Sequence, residues 1–190
     1  GAVVRLAPIK DVKTMIYAFF ELHERLPKVR LHIMGGVDDE EYGVECHALV
    51  ETLGVRDLIF TGRVNVVEYM EKLDFTILTS ISEGQPLSVL ESLAARRPCV
   101  TTEVGCCREL LEGAPGDDFG VAGFVTPPMY RKGLADAMER MCTSRARRIE
   151  MGERGQRRVA TYFLHEQMLA NYRALYDETA QAFNLPREGE

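Results

Sequence analysis

Short apolar runs alternating with helix-patterned segments constrain this chain more than any other feature. The runs lie at residues 1–6, 29–34, 58–60, 75–79, 99–102 and 123–125. Between them apolar residues recur at helical spacing, as at Val12, Met15, Ile16, Phe19 and Phe20. Strands that alternate with helices at this interval need right-handed crossovers, so they pair in parallel with helices on both faces. The expected fold class is α/β, a single Rossmann-like domain with a parallel sheet of about six strands. It spans residues 1–183, including a helical C-terminal extension, and leaves 184–190 as a polar tail.

Local signals set the boundaries. Asp11 should cap the first helix and Pro27 help to stop it; Gly54 should end a helix that follows the acidic turn at residues 38–41. A short helix is expected at 66–72, another from the Gly84–Pro86 turn to Ala95, and a loop with a short helix at 103–112. Residues 113–120, rich in Gly and Asp, read as flexible. Three more helices are expected at 133–142, at 145–162 behind the cap Ser144, and at 166–183. The arginines at 145–148 and 154–158 alternate with Glu, the pattern of a solvated helix face.

A net charge of −6 and a pI near 5.4 argue against nucleic acid as a partner. No apolar run reaches the roughly 18–20 residues of a membrane span, and no signal peptide opens the chain. Cys46, Cys99, Cys106, Cys107 and Cys142 give an odd count without a C-x-x-C pair, so free thiols in a reducing cytoplasm are expected. Gly1 in place of an initiator Met reads as a cut within a longer protein.

Candidate chemistry gathers at the ends of the runs. After the fourth run, the turn through Gly84 and Pro86 carries Glu83, and Glu91 follows on the next helix. Loop amides and a helix start there would offer donors and partial positive charge to an anion. Arg5 and Lys10 flank the first strand-to-helix turn and can neutralise a diphosphate, one as a fork and the other as a point charge; the alternative is a pair of solvated loop cations. Glu91 borders an apolar face, which leaves it open between a ribose diol and an ion pair with Arg96 or Arg97. Gly105 with Glu109 marks another glycine-bearing strand end. The histidines, His23, His32, His47 and His165, show neither metal-ligand nor triad spacing. The G-x-G-x-x-G and G-x-x-x-x-G-K fingerprints and an Asp-x-Asp pair are absent, so a diphosphate leaving from this site would rely on Arg5 and Lys10 rather than a metal.

Taken in order, these elements resemble the C-terminal, donor-binding half of the retaining family 4 glycosyltransferases, which have the two-domain GT-B fold. The matching elements are Arg5 with Lys10-Asp11, Phe60-Thr61-Gly62-Arg63-Val64, Leu78-Thr79-Ser80, and Glu83-Gly84 through Glu91-Ser92-Leu93-Ala94, an E-x7-E pair. Pro98-Cys99-Val100-Thr101-Thr102, Gly105 and Arg108-Glu109-Leu110 complete the series. Residues 4–14, with Tyr162, Met168, Tyr172 and Tyr176, further resemble the PelF-like subfamily of Pel exopolysaccharide biosynthesis. The resemblance implies that Arg5 and Lys10 bind the donor diphosphate, and that Glu83 with the amides of Gly84, Gln85 and Leu87 holds the sugar. Glu91 would take the ribose, Arg63 and Val64 would flank the base, and Gly105 would line the site.

It implies metal-independent transfer with retained configuration, no cofactor, UDP-glucose as donor, and a cytoplasmic enzyme in a polysaccharide-synthesis complex at the inner membrane. An N-terminal GT-B domain would supply the acceptor contacts, so the chain by itself would bind nucleotide weakly and turn nothing over. Val4 and Cys106 stand where the family commonly has Gly. A GT-B-fold epimerase or phosphorylase-like domain fits the fold with fewer of the motifs. A receiver-like module would need acids where this chain has Arg5 and Lys10.

Overall fold

The computed structural model describes residues 1–183; the tail expected at 184–190 lies outside the described residues. Strands β1 (Ala2–Val3), β2 (Leu31–Met34), β3 (Leu58–Gly62), β4 (Thr76–Leu78), β5 (Cys99–Thr102) and β6 (Gly123–Thr126) alternate with helices. The helices are α1 (Val12–Arg25), α2 (Glu40–Leu53), α3 (Val66–Met70), α4 (Leu87–Ala94), α5 (Cys107–Glu112), α6 (Arg131–Cys142), α7 (Arg145–Tyr162) and α8 (His165–Ala182). The caps fall where expected. Asp11 accepts from the Thr14 amide, Gly54 closes α2 in the left-handed region, and Ser144 accepts from the Arg147 amide.

All pairing is parallel, in two three-stranded ladders, β1–β2–β3 and β4–β5–β6. Main-chain bonds at Gly1 set them side by side: its nitrogen donates to Phe75 O, and Ile77 N donates to Gly1 O, both at 2.9 Å. The strands therefore run β3–β2–β1–β4–β5–β6. The first strand is shorter than residues 1–6: past Val3 the pairing continues only as single bonds, Val4 N to Met34 O and Leu6 N to Gly36 O, and an isolated bridge between Leu6 and Val37.

Alternation along each strand assigns neighbours to opposite faces. Ile33, Ile77 and Val100 enter one core with α1, α2 and α6. Leu78 and Cys99 face a second core with α4, α5 and α7, while Met34 packs with Met70 of α3. The resulting three-layer fold is the Rossmann-like α/β class expected, a six-stranded parallel sheet with helices on both faces.

The helical extension differs from the expected solvated face at one residue. Met151, Gly152, Gly155 and Arg158 are the buried residues of α7, and Arg158 is 1% exposed. Its guanidinium meets Asp117 through two nitrogens and donates to the carbonyls of Leu110, Leu111 and Gly120. Residues 113–120 are thus a clasp around a buried ion pair rather than a free loop. The two α5 carbonyls, orphaned at a helix end, gain donors from it.

Candidate functional site

Adjacent strands β1 and β4 send their chains to helices on opposite faces, which opens a crevice at their carboxyl ends. Its floor is stitched tightly. Thr79 Oγ1 donates to the carbonyls of Lys10 (3.0 Å) and Asp11 (3.1 Å), and Ile81 N donates to Ile9 O (2.9 Å). Asp11 adopts a left-handed conformation and caps α1 with one carboxylate oxygen; the other is buried without a partner. The amino end of α1 already holds a carboxylate, whereas α4 begins after Pro86 with no side-chain cap. Its first amides are left for solvent or a bound anion.

Lys10 and Glu83 meet across this crevice, Nζ to Oε1, at 2.6 Å, with side chains 20% and 14% exposed. Ser80, fully buried, donates to the same Oε1 at 2.7 Å. Two donors on one oxygen fix the carboxylate plane, and no described residue donates to Oε2. Ser80 is itself anchored, since its carbonyl accepts from Thr102 Oγ1 at 2.7 Å. Sequence reasoning placed Ser80 in a matching motif without giving it a task; its position three residues before Glu83 was the available signal.

Gly84, Gln85 and Leu87 are exposed at the rim. Gly105, at φ +50°, lies against the turn: a Cβ there would clash with the carbonyl oxygens of Gly84 and Glu83. Cys106 N donates to that same Gly84 carbonyl at 3.0 Å. Gly105 therefore supports the Glu83 turn by close backbone approach, and an amide at Cys106 serves this contact without a second glycine. Gly105→Ala should shift the turn, costing about 1–3 kcal/mol of stability. Thermal melting checks this, and an unchanged melting temperature would refute the supporting role.

The remaining positions are more peripheral. Arg5 projects to the surface and pairs with Asp38 at 2.7 Å, with side chains 64% and 45% exposed. It makes no pair across the crevice and is a solvated loop cation, ion-paired at the surface. Arg63 lies over Gly36, where an added Cβ would meet its Nε at 3.2 Å, and Val64 packs against the Met34–Met70 cluster. Glu91 corrects an expectation, because it is exposed rather than set against the apolar face. The ion pair with Arg96 or Arg97 is also absent: Arg96 bonds Gln156, and Arg97 bonds the carbonyls of Met70 and Glu71.

Each cysteine is a free thiol, and burial pushes Cys99 up to about 12 and Cys46, Cys107 and Cys142 up to about 11. Such thiols are poor nucleophiles. Among the described residues no group of three or more His, Cys, Asp or Glu could hold a metal, and no helix is long and apolar enough to cross a membrane. A cavity of about 540 Å³ opens at the amino ends of the strands, lined by Leu31, His32, Phe75 and Met138 among others. It lies away from the residues described above.

The sequence profile of the glycosyl transferases group 1 family matches residues 1–144. The chain belongs to that family. It is 28% identical over 170 residues to N-acetyl-alpha-D-glucosaminyl L-malate synthase of Bacillus anthracis, covering 88% of this chain and 42% of that protein. Among solved structures, sucrose-phosphate synthase from Thermosynechococcus elongatus superposes with a TM-score of 0.81 at 22% identity, over 95% of this chain and 45% of its own. Anabaena HepE, solved in complex with UDP-glucose, gives 0.78 at 22% identity, over 92% and 48%. The chain thus spans less than half the length of these relatives.

Proposed function

We propose that this chain is the donor-binding half of a retaining, metal-independent glycosyltransferase that uses UDP-glucose. The observation that carries the reading is the Lys10–Glu83 pair across the β1/β4 switch point, beside the uncapped start of α4. A diphosphate bound there takes its counter-charge from Lys10 and from the amides after Pro86. Arg5 reaches the same phosphates by exchanging its exposed Asp38 partner for the ligand. An exposed ion pair of this kind is worth little.

Glu83 holds a sugar hydroxyl through Oε2. Glu91 receives the ribose, Arg63 and Val64 flank the base, and Gly84, Gln85 and Leu87 line the sugar pocket. Charge stabilisation of the departing diphosphate is then the main catalytic contribution of this half. The uridine and glucose assignment draws on the HepE complex. The PelF-like run at residues 4–14 supports a place in cytoplasmic exopolysaccharide synthesis at the inner membrane.

A second domain supplies the acceptor contacts and closes over the crevice. Ile9, Ile81 and Leu87, exposed at 46%, 42% and 68% around the rim, suit such a closure. So does α8, which buries none of its residues and exposes Met168, Tyr172, Leu175 and Tyr176.

The test is calorimetric titration of UDP, GDP and ADP into this chain with no metal, repeated with a chelator. UDP should bind in both conditions; binding abolished by the chelator would overturn the metal-free reading, and a chain that binds no nucleotide would overturn the donor site. Glu91→Ala should weaken UDP binding about tenfold, the loss of one charged hydrogen bond, with an unchanged melting temperature. A large fall in melting temperature would instead assign Glu91 to the fold.

A further inference from the structure

Away from the crevice, at the amino ends of the strands, a concavity of about 190 Å³ is lined by Asp74, Arg96, Arg97, Arg145, Arg148 and Ile149. Four guanidinia there face one carboxylate. Arg97 is held by the carbonyls of Met70 and Glu71, both at 3.0 Å. Arg148 is held by the carbonyls of Met141 and Cys142 at 2.8 and 2.9 Å, and reaches Asp74 at 3.0 Å. Arg96 Nε bonds Gln156 Oε1 at 3.0 Å, and Arg145 has no partner among the described residues.

Neutral oxygens fix a guanidinium in place but leave its charge uncompensated. Asp74 compensates little, because its side chain is 74% exposed and screened by water. The first turn of α7 carries Arg145 and Arg148 with no acid in that turn, and cations at that end of a helix are unfavourable. Bonding to carbonyls at the ends of α3 and α6 accounts for Arg97 and Arg148. It does not account for Arg96 and Arg145 placed next to them.

We propose that this concavity is a second anion site, for a phosphate group, separate from the donor crevice. Guanidinium forks match a tetrahedral oxyanion through paired N–H donors. The volume holds several groups the size of a water, about 30 Å³ each. The phosphate comes either on a small soluble ester or as the headgroup of an anionic lipid.

Arg96→Ala with Arg145→Ala removes the two guanidinia that hold no backbone carbonyl, so the fold is kept. Inorganic phosphate is titrated into the chain on a Lys10→Ala background, which takes the Lys10 charge out of the crevice, so that any loss on adding Arg96→Ala with Arg145→Ala reports on the concavity. Cosedimentation is measured in parallel with vesicles of phosphatidylcholine alone and of an equimolar mixture with phosphatidylglycerol. Binding should weaken roughly tenfold for each guanidinium lost and fall steeply with salt. Phosphate binding without vesicle binding identifies a soluble ester, and arginine-dependent binding to the anionic vesicles alone identifies the lipid. If the parent chain binds neither, or the double variant binds as well as the parent, the site does not exist. UDP binding by the same double variant on a Lys10 background should be unchanged, so this test stands apart from that of the donor site.

Discussion

Lys10→Ala is expected to weaken UDP binding by this chain at least roughly tenfold, and to slow glycosyl transfer by the complete enzyme by about 10²–10³. Among the described residues the Lys10 ammonium is the cation placed inside the crevice, held 2.6 Å from Glu83 at the point where the strand order reverses. In the proposed reaction, removing it takes away charge where the leaving diphosphate builds charge. It also leaves Glu83, 14% exposed, with only the Ser80 hydroxyl on Oε1. Two variants separate these effects. Glu83→Gln keeps the Ser80 contact and the cation, so diphosphate affinity should survive while sugar-dependent turnover falls. Lys10→Arg restores charge with a different shape and should recover part of the UDP affinity. Equal UDP binding by the parent and Lys10→Ala would remove Lys10 from the diphosphate site.

Arg158→Met should be the most destabilising single change considered, costing about 3–5 kcal/mol. For a chain of this size that corresponds to a melting temperature lower by roughly 10 °C. The methionine fills the volume but strands Asp117, only 4% exposed, as an unpaired charge, and withdraws donors from the Leu110, Leu111 and Gly120 carbonyls. The pH dependence gives a second readout. The hydrogen bond from Arg158 is the main cause holding the Asp117 carboxyl below its ordinary value near 3.8. A depressed carboxylate stabilises the fold above its unfolded pKa, and that contribution is lost as pH falls through the folded pKa. The gap in melting temperature between parent and variant should therefore be constant at neutral pH and narrow below about pH 4. A gap that does not narrow would assign the loss to packing alone.

Much of the fold is legible because it follows from near neighbours in sequence. Each run that became β1 to β6 is a short apolar segment beside a helical repeat, and Asp11, Gly54 and Ser144 act on backbone within a few residues of themselves. The site is legible to the same depth. The turn at Glu83 and the cation at Lys10 sit at strand ends that periodicity locates. Arg158 was hidden by its neighbours, since a string of arginines and glutamates reads as a wet surface. The signal was its place on the stripe of Met151, Gly152 and Gly155, where helical spacing puts residue 158 inward whatever its charge. Glu91 failed in the opposite direction: apolar neighbours at 89, 90, 93 and 94 suggested a buried edge, yet its side chain faces water.

Strand and helix order, parallel pairing and the charges at the strand ends all follow from the order of residues. These depend on propensity, capping and the period of burial, all of which act over a turn or two of chain. Tertiary structure alone decided that β1 lies beside β4, that Lys10 meets Glu83, 73 positions further along the chain, while Arg5 turns to Asp38, and that Arg158 closes on Asp117. The reason is physical. A charged side chain takes the partner that lowers its desolvation cost, and packing brings that partner from a distant part of the chain.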